Sequence, residues 1–102
     1  MAESIALTEA VYCILLSLIT PLHGYGIMQK TEQMSGGRVR LAAGTLYGAL
    51  NTLCDKGWIE ELPIQAGSRK KEYVITGTGR TALVNELNRL KQLAAAGGEI
   101  LK

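Results

Sequence analysis

Gly44-Thr45-Leu46-Tyr47-Gly48-Ala49-Leu50-Asn51-Thr52-Leu53, closed by Asp55-Lys56-Gly57-Trp58-Ile59, is the stretch on which the fold turns. At helical spacing Leu46, Leu50 and Leu53 fall on one side, and Thr45, Tyr47, Gly48 and Asn51 are left on the other. The leucines need a core, whereas the outer face is polar and small enough to enter a DNA groove. Further along, Arg69-Lys70-Lys71 follows Gly67 and Ser68, the composition of a hairpin tip that can lie on phosphates. The chain then returns as a short strand over Lys71 to Thr76. A polar-faced helix followed by a basic hairpin reads as a winged helix-turn-helix, mainly α with a small β-hairpin.

Working outward, Thr8 and Glu9 open the run Ala10 to Ile19, which is apolar on nearly every side and stops at Thr20-Pro21. Such a helix is expected to be buried almost all round. His23-Gly24-Tyr25-Gly26 leads into a weaker amphipathic helix, Ile27 to Met34, ended by Ser35-Gly36-Gly37. Arg38-Val39-Arg40-Leu41 is a connector with basic alternate residues. Ala42-Ala43-Gly44 starts the third helix, and Gly57 caps it. Trp58 to Leu62 alternates as the first wing strand before Pro63, and Gln65-Ala66-Gly67-Ser68 is turn material. From Thr78 a long helix places Leu83, Leu87, Leu90, Ala94, Gly97 and Leu101 at alternating steps of four and three, the spacing of a coiled-coil seam. Gly97 and Gly98 each cost a helix interior about 1 kcal/mol relative to alanine, so fraying is expected beyond Ala96. The implied organisation is a DNA-binding unit over residues 1–77 and a C-terminal dimerisation helix over 78–102.

A chain of 102 residues is one domain by size and buries only about 60 to 65% of its unfolded surface. With 47% apolar residues and 20% charged ones, it carries more hydrophobic surface than a monomer readily hides, which points to a homodimer. The net charge of +2 excludes a tail that binds nucleic acid by charge alone. The distribution matters more: between Lys30 and Lys71 seven basic residues face four acidic ones, with the excess at Arg38, Arg40 and residues 69–71. Cys13 and Cys54 sit inside apolar helical patterns and read as small buried hydrophobes. The run Ala10 to Ile19 lacks a preceding basic region and is too short to span a bilayer, so a cytoplasmic setting without membrane contact is expected.

In a major groove Asn51 has the chemistry to pair with adenine, while Thr45 and Tyr47 suit a phosphate or a thymine methyl. Gly44 and Gly48 would let the backbone approach closely. Ser68, Arg69, Lys70 and Lys71 would supply phosphate contacts, which give affinity and salt dependence, not base choice. Arg38 and Arg40 either add backbone contacts or form a solvated connector. His23 has no ligand-spaced neighbour, and no nucleophile with a base, phosphate-cradling loop or carboxylate pair is present, so neither a metal, a cofactor nor an enzyme is expected.

Together, Ile14 to Leu18, Pro21 to Ile27, Gly44-Thr45-Leu46-Tyr47 with Leu50 and Leu53, Gly57-Trp58-Ile59, and Ser68 to Thr76 with Gly79 resemble the PadR-like family of bacterial transcription regulators. The resemblance implies a winged helix-turn-helix that dimerises through its last and first helices, binds a pseudo-palindromic double-stranded DNA operator and usually represses. The single C-terminal helix resembles the short-tailed branch. Some relatives release DNA on binding a small, often aromatic, effector. Two departures stand out. Ala42-Ala43 replaces the usual hydroxyl cap of the recognition helix, a loss of about 1 kcal/mol unless Arg40 or a phosphate compensates. No aromatic residue lies between Thr78 and Lys102, which leaves Tyr12, Trp58 and the Met1 to Leu7 segment as candidate effector lining. Two rival readings remain open: an interaction module that joins another protein without DNA, and a sensor whose dimer interface holds a small molecule.

Overall fold

The computed structural model describes residues 6–64, 66–68 and 70–102. In chain order the elements are α1 (Glu9–Ser17), β1 (Leu22–His23), α2 (Gly24–Met34), α3 (Ala43–Asp55), β2 (Ile59–Glu61), β3 (Glu72–Ile75) and α4 (Gly77–Ile100). Thr8 starts α1 by accepting a hydrogen bond from the Val11 N–H at 3.1 Å. Cys13, Ile14, Leu15 and Ser17 are buried on this helix, and the Ser17 hydroxyl is satisfied by donating to the Ile14 carbonyl at 2.6 Å. All-round burial of this run does not hold. Val11, Tyr12 and Leu16 are only half-buried and Ile19 is 40% exposed, because α2 and α4 cover α1 on two sides and leave the rest open.

The core gathers Ile14, Leu15 and Leu18 with Ile27 of α2, Leu46, Leu50 and Leu53 of α3, Ile59 of β2, Tyr73 of β3 and Leu83 of α4. Gly57, at φ 74°, ends α3 in the left-handed region that only glycine adopts without strain. The wing is part of a three-stranded antiparallel sheet of order β1-β3-β2, with Leu22 opposite Tyr73 and Ile59 opposite Ile75. The third strand, β1, lies where the sequence reads only as a lead into α2. Two residues are too few to display a period of two.

Helix α4 continues unbroken through Gly97 and Gly98 to Ile100, against the fraying expected after Ala96. Its ladder is still closed at the end, where the Leu101 N–H donates to the Gly97 carbonyl at 2.9 Å. In a helix already nucleated over 24 residues, each further bond offsets the local glycine cost. Leu83, expected in the dimer seam, is 5% exposed and belongs to the chain's own core. One turn on, Glu86 is buried at 2% exposure, accepts two hydrogen bonds from Arg89 at 2.7 and 2.6 Å, and also receives the Leu7 N–H at 3.3 Å.

Candidate nucleic-acid interface

Helix α3 buries Leu46, Leu50 and Leu53 and exposes Gly44, Thr45, Gly48 and Asn51 along one side, with Tyr47 42% exposed. Nothing stands within 4 Å of a Cβ built on Gly44 or Gly48, so this face is open to a close approach. Ala42 occupies the N-cap and makes no side-chain cap, which leaves the first N–H groups of α3 pointing outward with their partial positive charge. Arg40 does not compensate. Its guanidinium turns to Glu32 of α2, at 3.9 Å.

The base of the wing meets α3 across a groove of about 570 Å³ lined by His23, Gly24, Tyr25, Tyr47, Ile64, Lys70 and Lys71. Tyr47, Lys70 and Lys71 are thus brought to one groove. Lys71 also makes an ion pair with Glu61 across the sheet at 3.5 Å, an exposed contact of the kind that is worth little. Ser68 serves the turn, accepting from the Lys70 N–H at 3.2 Å. Arg69 lies outside the described residues. Arg38 is not brought to this groove: it pairs with Glu9 of α1 at 2.6 Å and lines a different cavity. The start of α2 also lines this groove, through Gly24 and Tyr25, and the Gly24-Tyr25-Gly26 pattern, glycines around an aromatic residue at a helix start, is its signal in the sequence. Tyr25 is 63% exposed there.

That different cavity, of about 430 Å³, lies on the α1 and α4 side between Tyr12, Cys13, Leu16, Met34 and Leu90, with the Arg38–Glu9 and Arg89–Glu86 pairs at its edges. Trp58 does not reach it. The indole instead lines a separate space of about 280 Å³ with Val11, Ala49, Leu53 and Lys56, whose Nζ stands 4.9 Å from the ring centre. Tyr12 and Trp58 therefore do not form one site, because Val11 and Tyr12, adjacent on α1, open onto different cavities. Burial pushes the Cys13 and Cys54 thiols above their ordinary value, so neither favours the reactive thiolate. Of the residues expected in a dimer seam, Leu87 and Leu90 are each 38% exposed and Ala94 is open. Among the described residues no group of three His, Cys, Asp or Glu side chains could hold a metal, and no helix is long and apolar enough to cross a membrane.

Three helices with a sheet-based wing and a long final helix define a winged-helix protein. The profile of the transcriptional regulator PadR-like family matches residues 14–85, and the chain belongs to that family. An uncharacterized 37.1 kDa protein in transposon TN4556 of Streptomyces fradiae is 38% identical over 74 residues, which make up 72% of this chain and 20% of that protein. The chain thus spans about a fifth of the length of that curated relative. A PadR-like transcription factor from Bacteroides fragilis superposes with a TM-score of 0.68 at 28% identity, over 88% of this chain and 87% of the other. A PadR family transcriptional regulator from Eggerthella lenta does so at 0.72 and 24% identity, over 90% and 80%.

Proposed function

We propose that this regulator acts in the cytoplasm as a homodimeric repressor that binds a pseudo-palindromic operator through α3 and the wing. The observation that carries this reading is the groove in which Tyr47 of α3, Tyr25 of α2 and Lys70 and Lys71 of the wing converge beside an uncapped helix N-terminus. Thr45, Gly48 and Asn51 then face the bases, and the two lysines and the α3 N–H groups face phosphates. Residues 78–102 supply the pairing element. Leu87, Leu90 and Ala94 extend the α4 face beyond the point where Leu83 leaves off in the core, and an 11.0 kDa chain with this much exposed leucine favours a second copy. A twofold pair sets the recognition helices about 34 Å apart, one turn of duplex. A mobility shift on the chain's upstream promoter DNA at two salt concentrations tests the reading: retardation at low salt that weakens at high salt supports it. An unshifted low-salt lane leaves the interaction-module reading.

The cavity beside Tyr12 and Leu90 favours one addition. It adjoins the seam residue Leu90, so a partner helix would close over it, and a small-molecule effector held there would bear on the spacing of the two wings. A thermal-shift screen compared with DNA release checks this addition.

A further inference from the structure

We infer that Gly24 directs the Tyr47 side chain, keeping the phenol folded back on the start of α2 so that Thr45, Gly48 and Asn51 meet the bases without it. The inference rests on the regulator reading above and names the residue that orders its site. Gly24 is the buried first residue of α2, and its backbone lies outside the positive-φ region occupied by Gly36, Gly37, Gly57 and Gly67. Backbone freedom therefore does not require a glycine here. Space does: a Cβ at Gly24 would overlap the Tyr47 hydroxyl oxygen and stand 2.9 Å from Cζ and 3.6 Å from Cε1.

The contrast along the same surface is informative. Gly44 and Gly48, one on each side of Tyr47, have nothing within 4 Å, so the α3 face is open except where Tyr47 leans on α2. The ring reaches from α3 to Gly24 of α2, and both line the groove that Lys70 and Lys71 also line. A methyl group at position 24 meets the far end of a rotatable side chain, so the main chain stays in place and the ring swings out. Rotated, a phenol occupies the space that the nucleic acid needs. Gly24 is thus a positioning residue, acting on DNA only through Tyr47.

The test is a cycle of Gly24→Ala, Tyr47→Leu and the double variant, each assayed on operator and random duplexes and by hydroxyl-radical footprinting without DNA. Gly24→Ala is expected to weaken operator binding about tenfold, an ordinary coupling for residues in contact, while the thermal midpoint holds. Tyr47→Leu lowers operator and random binding by the same factor. The double variant returns to the Tyr47→Leu level, because the shorter side chain leaves the methyl group room. In the footprint, Tyr47 labels more heavily in Gly24→Ala than in the wild type. A Gly24→Ala protein that binds as the wild type does, a double variant as weak as the product of the singles, or unchanged Tyr47 labelling overturns the inference. Should the wild type leave promoter DNA unshifted, the regulator reading fails, and the labelling alone still decides whether Gly24 directs Tyr47.

Discussion

Gly79, in the first turn of α4, lies directly against the main-chain carbonyl of Trp58, whose carbon would be 2.8 Å from a Cβ at position 79. The same carbonyl accepts the Thr76 N–H at 2.9 Å. Thr76 in turn donates its hydroxyl to the Gly57 carbonyl at 2.6 Å and accepts the Gly79 N–H at 3.1 Å as the N-cap of α4. The end of α3, the approach to β2, the end of β3 and the start of α4 are therefore tied at one point. In the dimer proposed above, this knot fixes the wing relative to the pairing helix.

Gly79→Ala should accordingly destabilise the fold, because the added Cβ meets the Trp58 backbone carbonyl, which cannot yield as the end of a side chain does, and the Ile75 side chain at 2.9 Å. Overpacking of this kind costs about 1–3 kcal/mol, read as a fall in the urea midpoint. Gly48→Ala is the control: open space surrounds it, and alanine in a helix interior gains roughly 0.5–1 kcal/mol. Equal effects at the two positions would remove the knot from the account.

Glu86 predicts an acid dependence. Its hydrogen bonds from Arg89, first in effect, and the Leu7 N–H hold the carboxyl below its ordinary value of 4.5, outweighing the opposing effect of burial. A carboxyl whose folded value is depressed contributes stability that is fully present above the unfolded value and is lost as pH falls through the folded one. Glu86→Gln should lower stability at neutral pH by about 1–3 kcal/mol, since the part-buried Arg89 and Leu7 donors lose a charged acceptor and one of its two oxygens. It should also flatten the loss of stability on going below the ordinary carboxylate range. Chemical denaturation at neutral and acid pH reads both effects, and an unaltered pH profile would contradict the role of this pair.

The wing gives a third prediction. Lys70→Ala should weaken binding to all duplexes and reduce the magnitude of the salt slope by about 1, the mark of one lost phosphate contact. Arg38→Ala should leave the slope unchanged, because its guanidinium is committed to Glu9 and faces the α1 side. Affinities across a salt series check both, and the reverse pattern would move the interface to the other face.

The leucines at 46, 50 and 53 made α3 legible, because a helix with one buried side writes its period directly into the chain. Likewise, the glycine, serine and lysine run foretold the turn between β2 and β3. What escaped depends on tertiary partners. The strand β1 exists only because β3 pairs with it, and Leu83 reads as seam until it is found in the core cluster with Ile14 and Leu15 of α1. Arg38 and Arg40 look like equivalent connector cations, yet Glu9 of α1, 29 residues back, and Glu32 of α2 draw each to a different helix. The separation of Tyr12 from Trp58 follows from the direction of two neighbouring side chains on α1, which composition does not encode. Gly24 carried the least visible signal of all, since its reason lies in a ring 23 residues away.

Whether two copies engage one duplex together is read by sedimentation with a promoter fragment at micromolar concentration. A free dimer and a complex holding two chains per site, dissociating as salt rises, are expected. A lone 11.0 kDa particle that never joins the fragment would contradict this.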